Sequence, residues 1–273
     1  MIIELENNDV LYNLALEEWI MDNTSKPTLI LWKNYPSVVI GKNQNPWLEC
    51  KLKLMSSENI PLARRISGGG TVYHDIGNLN YSIIVDQTKY SNDKAFNMIL
   101  NVLKKFNISA YRKCKSNLMV NEKKFSGTAF AFRKNKVLHH GTILINSDLN
   151  KLNKYLGAEF DGIKTKAIKS APAKVINLNI SMENLIDSII EQFKIDYNDS
   201  NTSISINSLS LKKYLLKHSS DEWIYGATPN FQICNDIKVE FKRKNINLSE
   251  KLKEIQKFDD KFFNLEKFFS SLN

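Results

Sequence analysis

The 273-residue chain is 42% hydrophobic and 25% charged, an ordinary balance for a globular protein large enough to bury a full core. Its net charge of +9 favours anionic partners (phosphates, nucleic acid or an acidic protein surface), with a solvated lysine-rich surface as the plain alternative. No apolar run reaches the length of a membrane span, and Cys50, Cys114 and Cys234 offer neither a disulfide framework nor a metal-ligand spacing.

The N-terminus lacks a basic region, an apolar core and a cleavage site, so no secretory signal is expected. With the odd, scattered cysteines this points to a reducing, cytoplasmic setting, a mitochondrial one being left open. The first residues read as a strand running into a helix whose Leu11, Leu14, Ala15 and Trp19 share a face. Two β-rich runs follow, Leu29–Trp32 and Val38–Ile40, separated by a proline turn, and "NYSIIVD" is a third. "DKAFNMILNVLKKFN" repeats at helical spacing. Residues 117–146 read as three strands joined by polar turns at Asn121–Lys123 and Arg133–Lys136, and a Ser181 cap opens a helix over "SMENLIDSIIEQFK". After Tyr197 a polar stretch reads as a connection, and the last segment as one strand with one or two helices. Strand hairpins interspersed with helices predict an α+β fold around a largely antiparallel, mixed sheet with flanking helices.

Four stretches stand out chemically. In "RRISGGGTVYHD" the run Ser67-Gly68-Gly69-Gly70 could form a nest of bare amides for an anion, and Arg64 and Arg65 could supply guanidinium forks. Neither nucleotide-loop pattern, GxxxxGK[ST] or GxGxxG, is present. A flexible turn with surface arginines is the bland reading. His74 and Asp75 point to opposite faces of a strand start, where Asp75 either caps a turn or helps bind a metal–nucleotide complex. Of Lys123 and Lys124, alternation lets one ammonium point inward, which is costly unless it meets an anion. His139 and His140 likewise face opposite ways, His140 being the one placed to reach a substrate. Cys114 has no histidine beside it in sequence.

Six ordered blocks carrying these residues resemble the lipoate–protein ligases of the biotin/lipoate ligase superfamily. They are "VVIGKNQNPWLEC" (38–50), "RRISGGGTVYHDIGNLNYS" (64–82), "KKFSGTAF" (123–130), "HHGTILIN" (139–146), "KAIKSAPAKVINL" (166–178) and "WIYGATPNF" (223–231). The resemblance implies a catalytic domain over residues 1–231 and a shortened accessory domain over 232–273. It also implies a two-step reaction: lipoate and ATP, with Mg²⁺, give lipoyl-AMP, and the lipoyl group then passes to a lysine of an acidic lipoyl domain of a 2-oxoacid dehydrogenase E2 subunit or of glycine-cleavage H protein. No nucleic-acid or membrane partner is implied.

By carry-over, Lys124 is the catalytic residue, bridging phosphate and acyl oxygens. Arg65, Ser67, Gly68, Gly69, Gly70, His74, Asn43 and His140 would bind the acyl substrate. Val72, Tyr73, Asp75, Lys124 and Thr142 would bind the nucleotide. No fixed protein metal site is expected; Asp75 is the candidate for contact with Mg²⁺ carried by ATP. Where the family has GRND, this chain has "KCKSN" at 113–117, with Ser116 and Asn117 in place of Asn and Asp. With the short C-terminal segment, this keeps open a lipoyltransferase that uses pre-formed lipoyl-AMP or a lipoylated carrier. Two further readings are a transferase with a Cys114 acyl-enzyme and a non-enzymatic basic binding protein.

Overall fold

Two short turns organise the centre of the molecule. Asn121 and Glu122 (φ 47° and 57°) and Lys134 and Asn135 (φ 48° and 61°) all take the left-handed conformation, the two-residue turn whose twist suits a tight hairpin. They join three of the expected strands, as the sequence predicts. The computed structural model describes residues 1–159, 162–198, 208–235 and 237–241.

In chain order its strands are β1 (Ile2–Glu4), β2 (Thr28–Trp32), β3 (Ser37–Ile40), β4 (Leu62–Arg64), β5 (Val72–His74), β6 (Asn78–Asp86) and β7 (Tyr111–Lys113). They continue with β8 (Asn117–Val120), β9 (Lys123–Arg133), β10 (Lys136–Leu144), β11 (Ile163–Thr165), β12 (Phe231–Asn235) and β13 (Ile237–Phe241). The helices are α1 (Val10–Asn23), α2 (Pro46–Glu49), α3 (Leu52–Ser57), α4 (Asn92–Lys105), α5 (Leu149–Tyr155), α6 (Met182–Tyr197) and α7 (Ser208–His218).

The main sheet has seven strands in the order β1-β2-β6-β10-β9-β8-β7, antiparallel except for the β1–β2 pair. A three-stranded sheet, β4-β3-β5, packs beside it, and β11-β12-β13 form a third. The fold class is therefore the expected mixed sheet with flanking helices. One pairing differs from the simplest reading: β2 and β3, neighbours across the proline turn, lie in different sheets. Both are buried on both faces, so neither shows the alternation that would tie one to the other.

Strand β6 decides what each face of the main sheet holds. Leu79, Tyr81, Ile83 and Val85 enter a core with Phe96, Ile99 and Val102 of α4 and with Leu185, Ile189 and Phe193 of α6. Both helices start at a serine that caps them, Ser91 accepting from Lys94 N and Ser181 from Asn184 N. The opposite face carries Asn80, Ser82 and Ile84 against α1, whose Leu14, Leu16 and Ile20 are buried. That face is the one with buried polar groups, and the functional residues gather there.

Helix α7, which the sequence reading passed over, packs Leu211 against α1 and is tied to it by Tyr214 OH donating to Asp22, by Trp19 Nε1 donating to Ser210 Oγ, and by the Glu18 carboxylate. Glu18 is 2% exposed and accepts from Arg133 Nη1 (2.6 Å), Lys217 Nζ (2.7 Å) and His218 Nε2 (2.8 Å). Burial alone would raise its pKa, but the bonds from His218, Lys217 and Arg133 outweigh that and pull it from 4.5 down to about 2. A depressed acid contributes stability above its unfolded pKa and loses it as pH falls through the folded value. The unfolding free energy from denaturant titrations should therefore drop as pH is lowered from 4.5 toward 2, by on the order of 2–3 kcal/mol from this group. Glu18→Gln should lower stability at neutral pH and flatten that slope; an unchanged slope would show that Glu18 does not set it.

The β12 strand pairs with β11, so it continues past residue 231, where the sequence reading placed a domain boundary. The expected strand in the last segment is β13; the expected helices after it lie outside the described residues. No described helix is long and apolar enough to cross a membrane.

Candidate active site

The glycine loop is braced from beneath. Arg65, 6% exposed, donates from Nη2 to the carbonyls of Gly68 (2.6 Å) and Gly70 (2.7 Å), from Nη1 to Val39 O and from Nε to Ser67 Oγ. With those carbonyls turned inward, trans-peptide geometry turns the N–H groups of Gly69 and Thr71 the other way. Thr71 N meets Ser170 Oγ at 2.8 Å. Gly69 needs its lack of a side chain, having φ 87° and Arg65 Nη2 only 2.9 Å from where a Cβ would lie.

Both arginines thus work inside the protein. Arg64 is fully buried and donates to the carbonyls of Gly41, Lys42, Gln44 and Ile224 and to Thr228 Oγ1, locking the turn before α2. The sequence reading offered the Arg64 and Arg65 forks to an anion. In the fold their forks are committed to the main chain, although Arg65 still borders a cavity. Burial pulls the Arg65 pKa down to about 10, which leaves it charged at neutral pH.

A buried polar chain runs on from Arg65. Ser67 Oγ lies 2.6 Å from His140 Nε2, His140 Nδ1 lies 2.8 Å from Glu17 Oε1, and Ser82 Oγ donates to the same oxygen while accepting from Trp32 Nε1. The acceptor-only carboxylate places the His140 proton on Nδ1, leaving Nε2 to accept from Ser67. His140 therefore positions the glycine loop from below as well as lining a cavity. His139, on the other face, sits among Phe96, Phe130, Tyr81 and Tyr90, and burial lowers its pKa to about 3.

Lys124 is different. It stands at the start of β9, beside an irregularity that takes the β8 partner from Ser126 to Lys124 between Leu118 and Met119. The segment around Val175 straps across it, Lys124 N donating to Lys174 O and Lys124 O accepting from Ile176 N. Its Cε and Nζ lie 2.9 Å from where a Cβ on Gly127 would be, so the glycine gives the side chain room to fold back over the strand. Among the described residues no carboxylate lies within 4.0 Å of Nζ. Burial, and then the charge of Arg65, lower its pKa.

Two cavities meet at this ammonium. The smaller, about 190 Å³, runs under the glycine loop past Val39, Ala129 and Leu14 to Trp32 and His74. The larger, about 630 Å³, lies between Val72, Leu144, Leu156 and the strap residues Ser170–Ala173. Lys124, Gly127, Thr71, Val72 and Thr142 line both. One narrow slot and one roomy cleft, both lined by an uncompensated cation, suit two substrates that react at an anionic junction.

The other expected residues fall as follows. Gly70 and His74 line the small cavity, and Tyr73 lines the large one while stacking on Tyr155. Gly68 faces open space. Asn43 lines neither cavity; its carbonyl accepts from Ile168 N and so anchors the strap. Asp75 is committed elsewhere, Oδ1 accepting from Gly77 N (2.9 Å) and Oδ2 from Asp148 N (2.8 Å). Glu49, the one carboxylate lining either cavity among the described residues, accepts from Ser170 N and Oγ and from Thr71 Oγ1.

This donor set does not fit a protein-held Mg²⁺. No group of three or more His, Cys, Asp or Glu side chains gathers among the described residues. Cys114 is exposed on the β7–β8 turn and lines neither cavity, which counts against an acyl-enzyme on it.

Sequence reasoning missed Glu17, Gln44, Glu49 and Ser170. Gln44 accepts from Gly41 N and Thr71 Oγ1 and donates to Ser170 Oγ, closing a clasp between glycine loop and strap. Gln44, Glu49 and Ser170 fall inside the quoted blocks, which was the available signal; Glu17 carried none, since a helical glutamate reads as solvent-facing.

A profile of the lipoyl protein ligase A/B catalytic domain matches residues 9–194. The chain belongs to that family. It is 39% identical to the lipoate-protein ligase A of Psychrobacter cryohalolentis over 238 residues, 81% of this chain and 70% of the relative. It is also 34% identical to the mitochondrial lipoyl amidotransferase of Homo sapiens, over 91% of this chain and 71% of the relative. Among solved structures, P. falciparum LipL1 in complex with lipoate superposes with a TM-score of 0.72 at 32% identity, covering 100% of this chain and 94% of that one. A lipoate-protein ligase A bound with ATP superposes with a TM-score of 0.70 at 26% identity, covering 83% of this chain and 98% of that one. As a member of this family the lipoyl protein ligase described here is an enzyme.

Proposed function

We propose that this lipoyl protein ligase carries out both halves of ATP-dependent lipoate–protein ligation. The observation that carries the reading is Lys124, an uncompensated, half-buried ammonium on the wall shared by a narrow slot and a larger cleft. Lipoate would lie in the slot with its carboxylate at Lys124, and ATP in the cleft. The carboxylate oxygen attacks the α-phosphorus, the bond to the pyrophosphate oxygen breaks, and lipoyl-AMP forms. In the second step the ε-amine of an acceptor lysine attacks the acyl carbon, AMP leaves with the acyl–oxygen bond pair, and the amine proton is lost as the amide forms.

Lys124 faces negative charge in both steps, on the phosphoryl oxygens and then on the tetrahedral acyl oxygen, and a preorganised cation stabilises what develops there. The clasp of Gln44, Glu49 and Ser170 holds the strap over the cleft, which shields the mixed anhydride from water.

The acceptors we propose are lipoyl domains of E2 subunits, the partner type solved with a bipartite ligase of Thermoplasma acidophilum, and glycine-cleavage H protein. The basic chain favours acidic acceptors by steering. A second reading is a transferase that starts from lipoyl-AMP or a lipoylated carrier. It is favoured by the likeness to the human amidotransferase and by a cleft whose one carboxylate among the described residues, Glu49, is already engaged. Lipoate-dependent ATP–pyrophosphate exchange on the purified protein separates the two. Exchange is expected; transfer from lipoyl-AMP without exchange would replace the ligase by the transferase.

A further inference from the structure

The far end of the small cavity holds a donor with nothing to donate to. Asn34 Oδ1 accepts from Asn13 Nδ2 (2.9 Å), which fixes the amide so that Asn34 Nδ2 donates to His74 Nδ1 (2.9 Å). The His74 proton is therefore on Nε2. That nitrogen is buried and finds no partner among the described residues. Burial, and then the charge of Arg65, lower the His74 pKa to about 3, so the ring is neutral. His74 lines the cavity and Asn34 does not. Trp32 stands edge-on to the His74 ring at 6.0 Å between ring centroids.

A buried N–H left unpaired in every state is costly, which argues for a ligand that accepts there. The same lining carries the apolar Leu14, Trp32 and Val39 beside the polar Arg65, Asn80 and His140, which suits an acceptor carried at the end of a mainly apolar chain. A cyclic disulfide meets both demands: sulfur accepts weakly and sits well beside an aromatic edge, whereas a terminal alkyl group can do neither.

We propose that His74 donates its Nε2–H to a ring sulfur of the bound acyl chain, and thereby selects a disulfide-ended acid over a plain alkyl one. The inference rests on the ligase reading above and adds a specificity-determining residue to it.

The test compares three acids on the full chain by calorimetry: lipoate, octanoate, and 5-cyclopentylpentanoate, which keeps the ring shape without sulfur. Wild type should bind lipoate about 5-fold more tightly than the cyclopentyl acid, the size of one neutral hydrogen bond. In His74→Leu the two ring acids should bind alike, and the preference for lipoate over octanoate should shrink by the same factor. His74→Gln, which can present an amide N–H near the same point, should recover part of it. Equal binding of the two ring acids by wild type, or an unchanged ratio in His74→Leu, overturns the role of His74 and leaves the ligase reading standing. Should wild type bind none of the acids, both fall together. The wild-type comparison does not depend on either variant folding.

Discussion

Lys124→Ala should lower the rate of lipoyl transfer by about 10²–10³-fold, the usual loss when one preorganised donor to a developing oxyanion is removed. The same position should show the opposite effect on stability. Its folded-state pKa is lowered by burial and by Arg65, so folding works against the protonated form. The cost is present at neutral pH and fades as pH rises from the lowered folded value toward the ordinary lysine value of 10.5, where stability should climb. Lys124→Met, which keeps the aliphatic stem, should therefore melt at a higher temperature than wild type while losing turnover. A variant that melts lower, or one that keeps full turnover, would mean that the ammonium does not stand alone at the junction of the two cavities.

Gly41→Ala should be nearly as damaging to activity, for a steric reason. A Cβ at Gly41 would lie 2.4 Å from Gly69 O and 3.1 Å from Gly68 O, both main-chain atoms that cannot swing aside. The glycine loop would have to move off Arg65, and overpacking of this kind costs about 1–3 kcal/mol. We expect lipoate-dependent turnover to fall by about 10–100-fold, as that displacement is felt at the site. The matched control is Gly68→Ala, whose Cβ meets nothing within 4 Å and whose φ is not positive. It should be close to silent. If the two alanines behaved alike, the loop's fit against residue 41 would not matter to the reaction.

That pair shows why three consecutive glycines were read only in part. The sequence marks a stretch where side chains are unwelcome, and the anion nest was a sound local reading. Two different neighbours set the actual demand, Arg65 at Gly69 and Ser170 at Gly70, while Gly68 meets open space. Ser170 lies a hundred residues downstream, and no local pattern announces that it will stand there.

Other features were legible because their causes are short-range. The hairpins of β8, β9 and β10 follow from turn residues that tolerate positive φ between alternating runs. The helices α4 and α6 follow from serine caps and apolar spacing. The opposed facing of His139 and His140 follows from strand geometry alone.

What the sequence determined by itself is this set of local elements, and, through six ordered motif blocks, the family. Tertiary structure decided which polar groups meet. It turned Arg64 and Arg65 inward, committed Asp75 to two backbone amides, and brought Glu17 to His140 across 123 residues of chain. The reason is physical. A helix or strand is specified by neighbours a few residues apart, but a buried charge takes whichever partner the packed core delivers, and Lys124 is a cation to which, among the described residues, the core delivers no carboxylate within ion-pair reach.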